Sequence, residues 1–159
     1  MVQRLFYEAR HPIFIAGHEL IRANRFFGRW QIAWLRSRRC RYDFASICRP
    51  AAGSGEAAAN QVFLAEFQKS NWPAGCPVPA FYYDPRTIIP RPALQHRLHA
   101  KCVVVDGEQA FISSAKFTEA AHERNIEVGV LLRSCPSAKR LVEFFEHLIR
   151  AGYLLQIPV

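Results

Sequence analysis

His99 and Lys101 stand two residues apart, directly before the apolar run CVVV and Asp106. Side chains two apart in a strand project to the same side, so the pattern predicts an imidazole beside an ammonium at the end of a buried strand. Such groups must be solvated or partnered, because burying them alone is costly. A phosphate ester meets both needs: lysine supplies a fixed positive charge, and histidine, with a free pKa of about 6.5, exchanges a proton near neutrality.

The rest of the chain indicates no metal and no cofactor. There is no HExxH and no CxxC pair, and an odd number of cysteines argues against a disulfide framework. We therefore expect reduced thiols and chemistry that needs neither group. The five cysteines are Cys40, Cys48, Cys76, Cys102 and Cys135.

Positive charge is concentrated in residues 1–50. The chain carries a net charge of +8, and this first part holds ten arginines against Glu8, Glu19 and Asp43. Such an excess favours polyanions, either nucleic acid or an anionic membrane surface. The alternative is that the arginines simply cover solvated helix faces.

The length of 159 residues and the 50% hydrophobic content predict one domain spanning residues 1–159. No apolar run approaches the roughly 20 residues that span a bilayer, and no secretory signal is apparent, so we expect a cytoplasmic protein.

Hydrophobic patterning predicts strands that alternate with helices, which indicates an α/β layered domain. A tight turn at DGEQ should join the fourth and fifth strands, and Gly152 should end the last helix. The predicted strands are 12–16, 41–48, 78–83, 98–105, 109–113 and 125–132, and the predicted helices are 19–39, 59–70 and 136–152.

The residues from His99 to Lys116 resemble a known signature. H99-x-K101-x4-D106, six residues and SSAK are similar to the HxK(x)4D(x)6GSxN (HKD) motif of the phospholipase D superfamily, and the motif region covers 96–132. The resemblance implies a phospholipase D-like layered α-β-α domain with a mixed central sheet. It also implies phosphodiesterase chemistry without a metal, in which a histidine becomes a phosphohistidine.

The resemblance assigns a role to each matching residue. His99 would attack phosphorus, and Lys101 would hold the non-bridging phosphate oxygens. Asp106 matches a residue that supports the site by hydrogen bonding, and Ser114 matches a serine that contacts the phosphate or the histidine. Glu127 lies where related nucleases carry an acid that orients the imidazole.

Three further residues are candidates for substrate binding. Ser113 replaces the glycine of the motif, and Lys116 replaces an asparagine that hydrogen-bonds phosphate. Lysine could still bind phosphate, or it could crowd the site and impair the enzyme. Arg86, in YYDPR, could contact phosphate at the entrance, and a structural turn is an equal alternative.

In this superfamily two copies of the motif build one active site, whereas none of the other five histidines has a lysine two residues later. The second copy should therefore come from another subunit, which makes a homodimer a requirement of this interpretation.

Three functions stay open. The first is a nucleic-acid phosphodiesterase, since members with a single motif are mostly nuclease-like. Within these members the chain most resembles DrmC, the phospholipase D-like protein of the DISARM anti-phage system. That resemblance implies other defence proteins as partners. The second is a phosphatidyl hydrolase or transferase at membranes, and the third is a silent nucleic-acid-binding module. The basic first third fits the first and third better than membrane phospholipid.

Overall fold

The computed structural model describes residues 2–10, 13–17, 42–46, 56–72, 78–87, 98–115 and 125–158. Three α-helices lie in this part of the chain, α1 (Val2–Glu8), α2 (Glu56–Asn71) and α3 (Cys135–Arg150), together with a short 3-10 helix at Pro85–Thr87. Its strands are β1 (Ile13–Gly17), β2 (Tyr42–Ser46), β3 (Ala80–Tyr83), β4 (Cys102–Val105), β5 (Gln109–Ser113), β6 (Gly129–Arg133) and β7 (Leu155–Gln156). The predicted helix over 19–39 lies outside the described residues.

The seven described strands form one mixed sheet in the order β6-β5-β4-β1-β2-β3-β7. β1, β2 and β3 are parallel to one another, and the other neighbours are antiparallel. Every residue of β1 and β4 is buried, which explains their unbroken apolar sequences, because the central strands of a layered sheet are covered on both faces.

The two faces of the sheet carry separate apolar clusters. On one face, Phe6 of α1 and Phe67 of α2 pack with strand residues such as Ile15 and Val103. On the other face, Phe145 of α3 packs with Phe14 and Val104. Because neighbouring strand residues point to opposite faces, each central strand contributes to both clusters. The α-β-α layering and the mixed sheet confirm the predicted fold class.

Most predicted elements are present with shifted ends, and two short elements, α1 and β7, were not predicted. The predicted strand over 98–105 begins only at Cys102, so His99 and Lys101 precede it. The turn after β4 has positive φ at Asp106 (58°) and Gly107 (65°), with Glu108 N–H donating to the Val105 carbonyl, which is a type I′ turn.

The last helix ends as its sequence indicates. Gly152 has a φ of 75°, and its N–H donates to the Ile149 carbonyl while the N–H of Tyr153 donates to the Leu148 carbonyl. This pair of bonds is a Schellman motif, which fixes the chain as it leaves α3. Within the described residues, no helix combines the length and the apolar character that crossing a membrane requires.

The strand ends form two edges of the sheet, the His99 edge and the Asp106 edge. At the His99 edge, β1, β2, β3 and β5 end and β4, β6 and β7 begin; at the Asp106 edge the same strands have their other ends. Ala16 pairs with Cys102, so the end of β1 lies beside Lys101. Ser113 pairs with Gly129, and Tyr83 pairs with Leu155. Residues far apart in sequence therefore meet at the His99 edge.

Candidate active site

His99 and Lys101 contact each other at the His99 edge. The Lys101 ammonium donates to the main-chain oxygen of His99 at 3.0 Å and lies 3.3 Å from each nitrogen of the His99 ring. Lys101 is only 7% exposed, whereas His99 is exposed. The bond to the main chain holds the buried ammonium beside an imidazole that a ligand can reach.

This contact has a chemical consequence for the imidazole. Lysine only donates, so a ring nitrogen can accept from it only in the tautomer that leaves that nitrogen unprotonated. An unprotonated ring nitrogen is the form that attacks an electrophile such as phosphorus. The ammonium also places positive charge where negative charge would develop on phosphate oxygens.

Side chains of the segment from Ala100 to Val104 alternate between the two faces of the sheet. Ala100, Cys102 and Val104 belong to the cluster under α3, while Val103 belongs to the cluster on the other face. Burial raises the pKa of the Cys102 thiol to about 11, with a smaller opposing effect from a hydrogen bond to the Ala16 backbone. Cys102 is therefore a packed thiol next to the site.

Ser114 and Glu127 form a second polar group at the same edge. The Ser114 hydroxyl donates to Glu127 Oε2 at 2.5 Å and accepts from the N–H of Val128 at 3.1 Å. Asn125 Nδ2 donates to the other carboxylate oxygen, Oε1, at 3.2 Å. These bonds fix the carboxylate. Asn125 was missed by the sequence analysis; its position two residues before Glu127 was the available signal.

The two polar groups are joined through the sheet. The N–H of Ser113, the last residue of β5, donates to the Lys101 carbonyl at 2.9 Å. Ser114 is the next residue, so it lies just beyond the paired part of β4 and β5. On the other side, Gly129 lets β6 approach, because a Cβ there would lie 2.7 Å from the Phe111 ring. Close packing of β5 and β6 thereby positions Glu127 and Ser114.

Ser113 itself is engaged in local structure. Its hydroxyl accepts from the N–H of Ala115 at 3.0 Å and donates to the Val128 carbonyl at 3.4 Å. Among the described non-glycine residues, positive φ occurs only at Asp106, so the backbone at Ser113 does not require glycine. The serine that departs from the motif is accommodated without backbone strain.

Asp106 lies at the opposite edge from His99. The four residues of β4 separate it from Lys101, a Cα distance of about 16 Å at roughly 3.3 Å per residue. There Asp106 Oδ1 accepts from the backbone N–H of Arg10 at 3.0 Å, which ties the turn after β4 to the segment before β1. The motif is continuous in sequence, yet the structure does not bring its third residue to the imidazole.

Arg86 lies at the His99 edge but on the far side of the sheet, beyond the end of β3. Its guanidinium binds Asp84 through both carboxylate oxygens, at 2.8 Å and 2.6 Å, and lies 5.5 Å from the centre of the Tyr153 ring. The hydrogen bonds to Asp84 raise the pKa of Arg86 above its ordinary value. The sequence analysis singled out Arg86 and missed Tyr153, which lies 67 positions later.

Lys116 lies outside the described residues, as do Cys40, Cys48 and Cys76. In the described ranges, no group of three or more His, Cys, Asp or Glu side chains is placed to hold a metal ion.

The site and the fold together define a layered α/β protein with a histidine–lysine pair at one sheet edge. A sequence profile of the cardiolipin synthase, phospholipase D-like domain family matches residues 47–149, which is more than half of the chain. The chain belongs to this phospholipase D-like family. No curated protein shows a significant sequence match to it.

Solved structures share the fold over nearly the whole chain. Nuc from Salmonella typhimurium, a phospholipase D family member, is 17% identical with a TM-score of 0.64, covering 99% of this chain and 89% of Nuc. NucT from Helicobacter pylori is 13% identical with a TM-score of 0.63, covering 97% and 87%. Phosphatidylserine synthase from Haemophilus influenzae is 12% identical with a TM-score of 0.66, covering 91% of this chain and 33% of that enzyme.

Proposed function

We propose that this protein is a phosphodiesterase that cleaves nucleic acid through a phosphohistidine on His99. The observation that carries the proposal is the Lys101 ammonium, 3.3 Å from both ring nitrogens of an exposed histidine. Membership of the phospholipase D-like family supports the reaction class. The arginine excess in residues 1–50 supports a polyanionic substrate.

The reaction proceeds in two balanced steps. An unprotonated ring nitrogen of His99 attacks phosphorus, a P–N bond forms, the P–O bond to the leaving oxygen breaks, and that oxygen takes a proton from the second histidine. Water then attacks phosphorus and gives a proton to the second histidine, and the P–N bond breaks. Lys101 offsets the charge on the phosphate oxygens in both steps. Ser114 and Glu127 form the polar wall beside the pair.

The second histidine comes from another copy of the chain, because the sequence holds one motif. We propose a homodimer in the cytoplasm with the two His99 edges facing each other. A mass near twice 18.2 kDa by light scattering is expected. A monomer with full activity contradicts the dimer. We further propose a role in phage defence, which the resemblance of the sequence to DrmC supports. Plaque numbers should rise when His99→Ala replaces the wild type in the host cell.

A phosphatidyl hydrolase or transferase is the second candidate. It is favoured by the family, which is named after cardiolipin synthase, and by the likeness of the fold to phosphatidylserine synthase. Vesicles of phosphatidylglycerol distinguish the two candidates. Release of the headgroup at a rate above that of oligonucleotide cleavage would favour the lipid.

The test of the proposed function is cleavage of bis(p-nitrophenyl) phosphate and of an oligonucleotide in EDTA. Wild type should cleave both, and His99→Ala should lose at least a thousandfold in turnover. His147→Ala, which removes an exposed histidine from α3, is the matched control and should retain wild-type rates. Activity that survives in His99→Ala, or that requires added divalent metal, contradicts the proposal.

A further inference from the structure

Asp84, Arg86 and Tyr153 form an ordered group on the surface at the His99 edge. Asp84 is buried, and its carboxylate accepts the backbone N–H of Arg86 at 2.9 Å besides two bonds from the Arg86 guanidinium. The guanidinium in turn lies across the Tyr153 ring. Arg86 is thus a cation whose orientation is set before any ligand arrives, which lowers the entropy lost on binding.

The position of Tyr153 is fixed by the end of α3. It follows the Schellman turn that ends α3, and its N–H donates to the Leu148 carbonyl at 2.9 Å. The residue is still 51% exposed with the guanidinium of Arg86 across it. A large, fixed and half-exposed aromatic ring beside a cation offers a platform on which a planar group can stack.

Strand register places this group in line with the candidate active site. β4, β1, β2 and β3 are successive neighbours in the sheet, and Tyr83 ends β3 at the same edge where Lys101 precedes β4. Three strand spacings separate the two strands, a distance of about 14 Å. Lys101 belongs to the face of α2 and Tyr153 follows α3, so a ligand that reaches both must cross the edge of the sheet.

The geometry points to a subsite at Arg86 and Tyr153 that binds a flanking nucleotide of a single-stranded polynucleotide whose phosphodiester lies at His99. This inference rests on the proposed function and names the substrate class for it. The guanidinium would meet a backbone phosphate, and the tyrosine would stack on a base. Stacking requires bases that are not held in a duplex, which selects a single strand.

Binding measured by fluorescence anisotropy tests the subsite without relying on turnover. All proteins carry His99→Ala so that the ligand stays intact, and the ligands are a thymidine octamer and a thymidine dinucleotide. Tyr153→Ala should weaken octamer binding about tenfold, because an aromatic stack contributes at this level. The dinucleotide is too short to span from His99, so its affinity should change less than twofold.

Two further variants separate stacking from general effects. Tyr153→Phe keeps the ring and should bind the octamer as tightly as tyrosine does. Arg4→Gln removes an exposed arginine that pairs with Glu8 in α1, and it controls for the loss of one positive charge when Arg86→Gln is measured. Arg86→Gln should weaken octamer binding more than Arg4→Gln at the same salt concentration.

The outcomes distinguish the subsite from the proposed function. Octamer affinity within twofold of the parent in Tyr153→Ala overturns the subsite, even if the protein cleaves oligonucleotides. Equal losses for the dinucleotide and the octamer also overturn it, because they indicate a general structural effect. A parent protein that binds no octamer but binds phosphatidylglycerol vesicles overturns the proposed function together with the subsite.

Discussion

The two ends of β4 carry different kinds of polar residue. At the His99 edge, the ammonium of Lys101, a residue that is 7% exposed, lies against an exposed imidazole, while Ser114 directly follows β5 and Glu127 shortly precedes β6. At the Asp106 edge, a carboxylate in a turn with positive φ accepts the backbone N–H of Arg10. One motif of eight residues thus spans the width of the sheet, with reactive groups at one end and a chain-fixing contact at the other.

This difference shows why sequence spacing alone misassigns a role. His99, Lys101 and Asp106 form one signature, and a signature suggests one site. The strand between them forces a separation of about 16 Å. Asp106 therefore holds the turn after β4 to the segment before β1, away from the imidazole.

The largest expected effect contrasts Lys101→Met with Asp106→Ala. Lys101→Met removes the charge next to the reacting phosphate and should lower kcat on bis(p-nitrophenyl) phosphate by about 100- to 1000-fold. Asp106→Ala loses the bond from Arg10 and places alanine at a φ of 58°. It should lower the free energy of unfolding by about 1–2 kcal/mol, measured in urea, while kcat stays within tenfold.

Asp106→Asn is the control for this contrast, since asparagine keeps an acceptor oxygen and tolerates positive φ. Its stability should stay close to wild type. A loss of turnover in Asp106→Asn as large as that in Lys101→Met would show that the Asp106 edge takes part in the chemistry.

A smaller effect is expected from a comparison of Ser113, the last residue of β5, with Ser114, the residue that follows it. Ser114→Ala removes the hydroxyl that joins the N–H of Val128 to Glu127, so the carboxylate loses a fixed orientation and kcat should fall about tenfold. Ser113→Ala removes a bond to Ala115 and should cost about 1 kcal/mol of stability with kcat within threefold. Steady-state kinetics and urea unfolding of both variants check this. Equal kcat values for the two variants would show that Ser114 has no role in catalysis.

The smallest effect concerns the thiols near the two ends of β4. Cys102 is buried with a pKa of about 11, whereas Cys135 is exposed near the Gly107 carbonyl. Iodoacetamide at pH 8 should modify Cys135 in the folded protein and leave Cys102 unmodified, which peptide mapping by mass spectrometry resolves. Rapid labelling of Cys102 would show that the strand beside Lys101 opens.

The same pKa predicts a dependence of stability on pH. A thiol in the unfolded chain has a pKa of about 8.5. Because the folded value is higher, the folded state keeps its proton while the unfolded state ionises, so this contribution is fully present below about pH 8.5 and is lost as the pH rises towards 11. Cys102→Ala should flatten the fall in the free energy of unfolding over this range.

Much of the fold could be predicted because its signals are local. The Asp106-Gly107 turn, the apolar strand β4 and the glycine that ends α3 each follow from a few adjacent residues. The short elements α1 and β7 were missed, since seven residues and two residues give too little periodicity. Phe144 follows the apolar pattern of α3, yet it is exposed because its side of the helix does not face the sheet.

The contacts of the candidate site also divide into those that a local sequence pattern predicts and those that it does not. The contact between His99 and Lys101 follows from their spacing. The bond between Ser114 and Glu127 depends on the pairing of β5 with β6, and the approach of the Arg86 guanidinium to the Tyr153 ring depends on the distant pairing of β3 with β7. Register between strands is set by packing across the whole sheet, which a local pattern does not contain.

Trapping the covalent intermediate tests the central claim most directly. Wild-type protein is mixed with a 5′-labelled oligonucleotide or a labelled phosphodiester in EDTA, quenched within milliseconds at alkaline pH and mapped by mass spectrometry. We predict an acid-labile adduct of the phosphoryl group on a ring nitrogen of His99, absent from His99→Ala and present in His147→Ala. Cleavage by the wild-type protein at its full rate with no adduct on His99 would contradict the account.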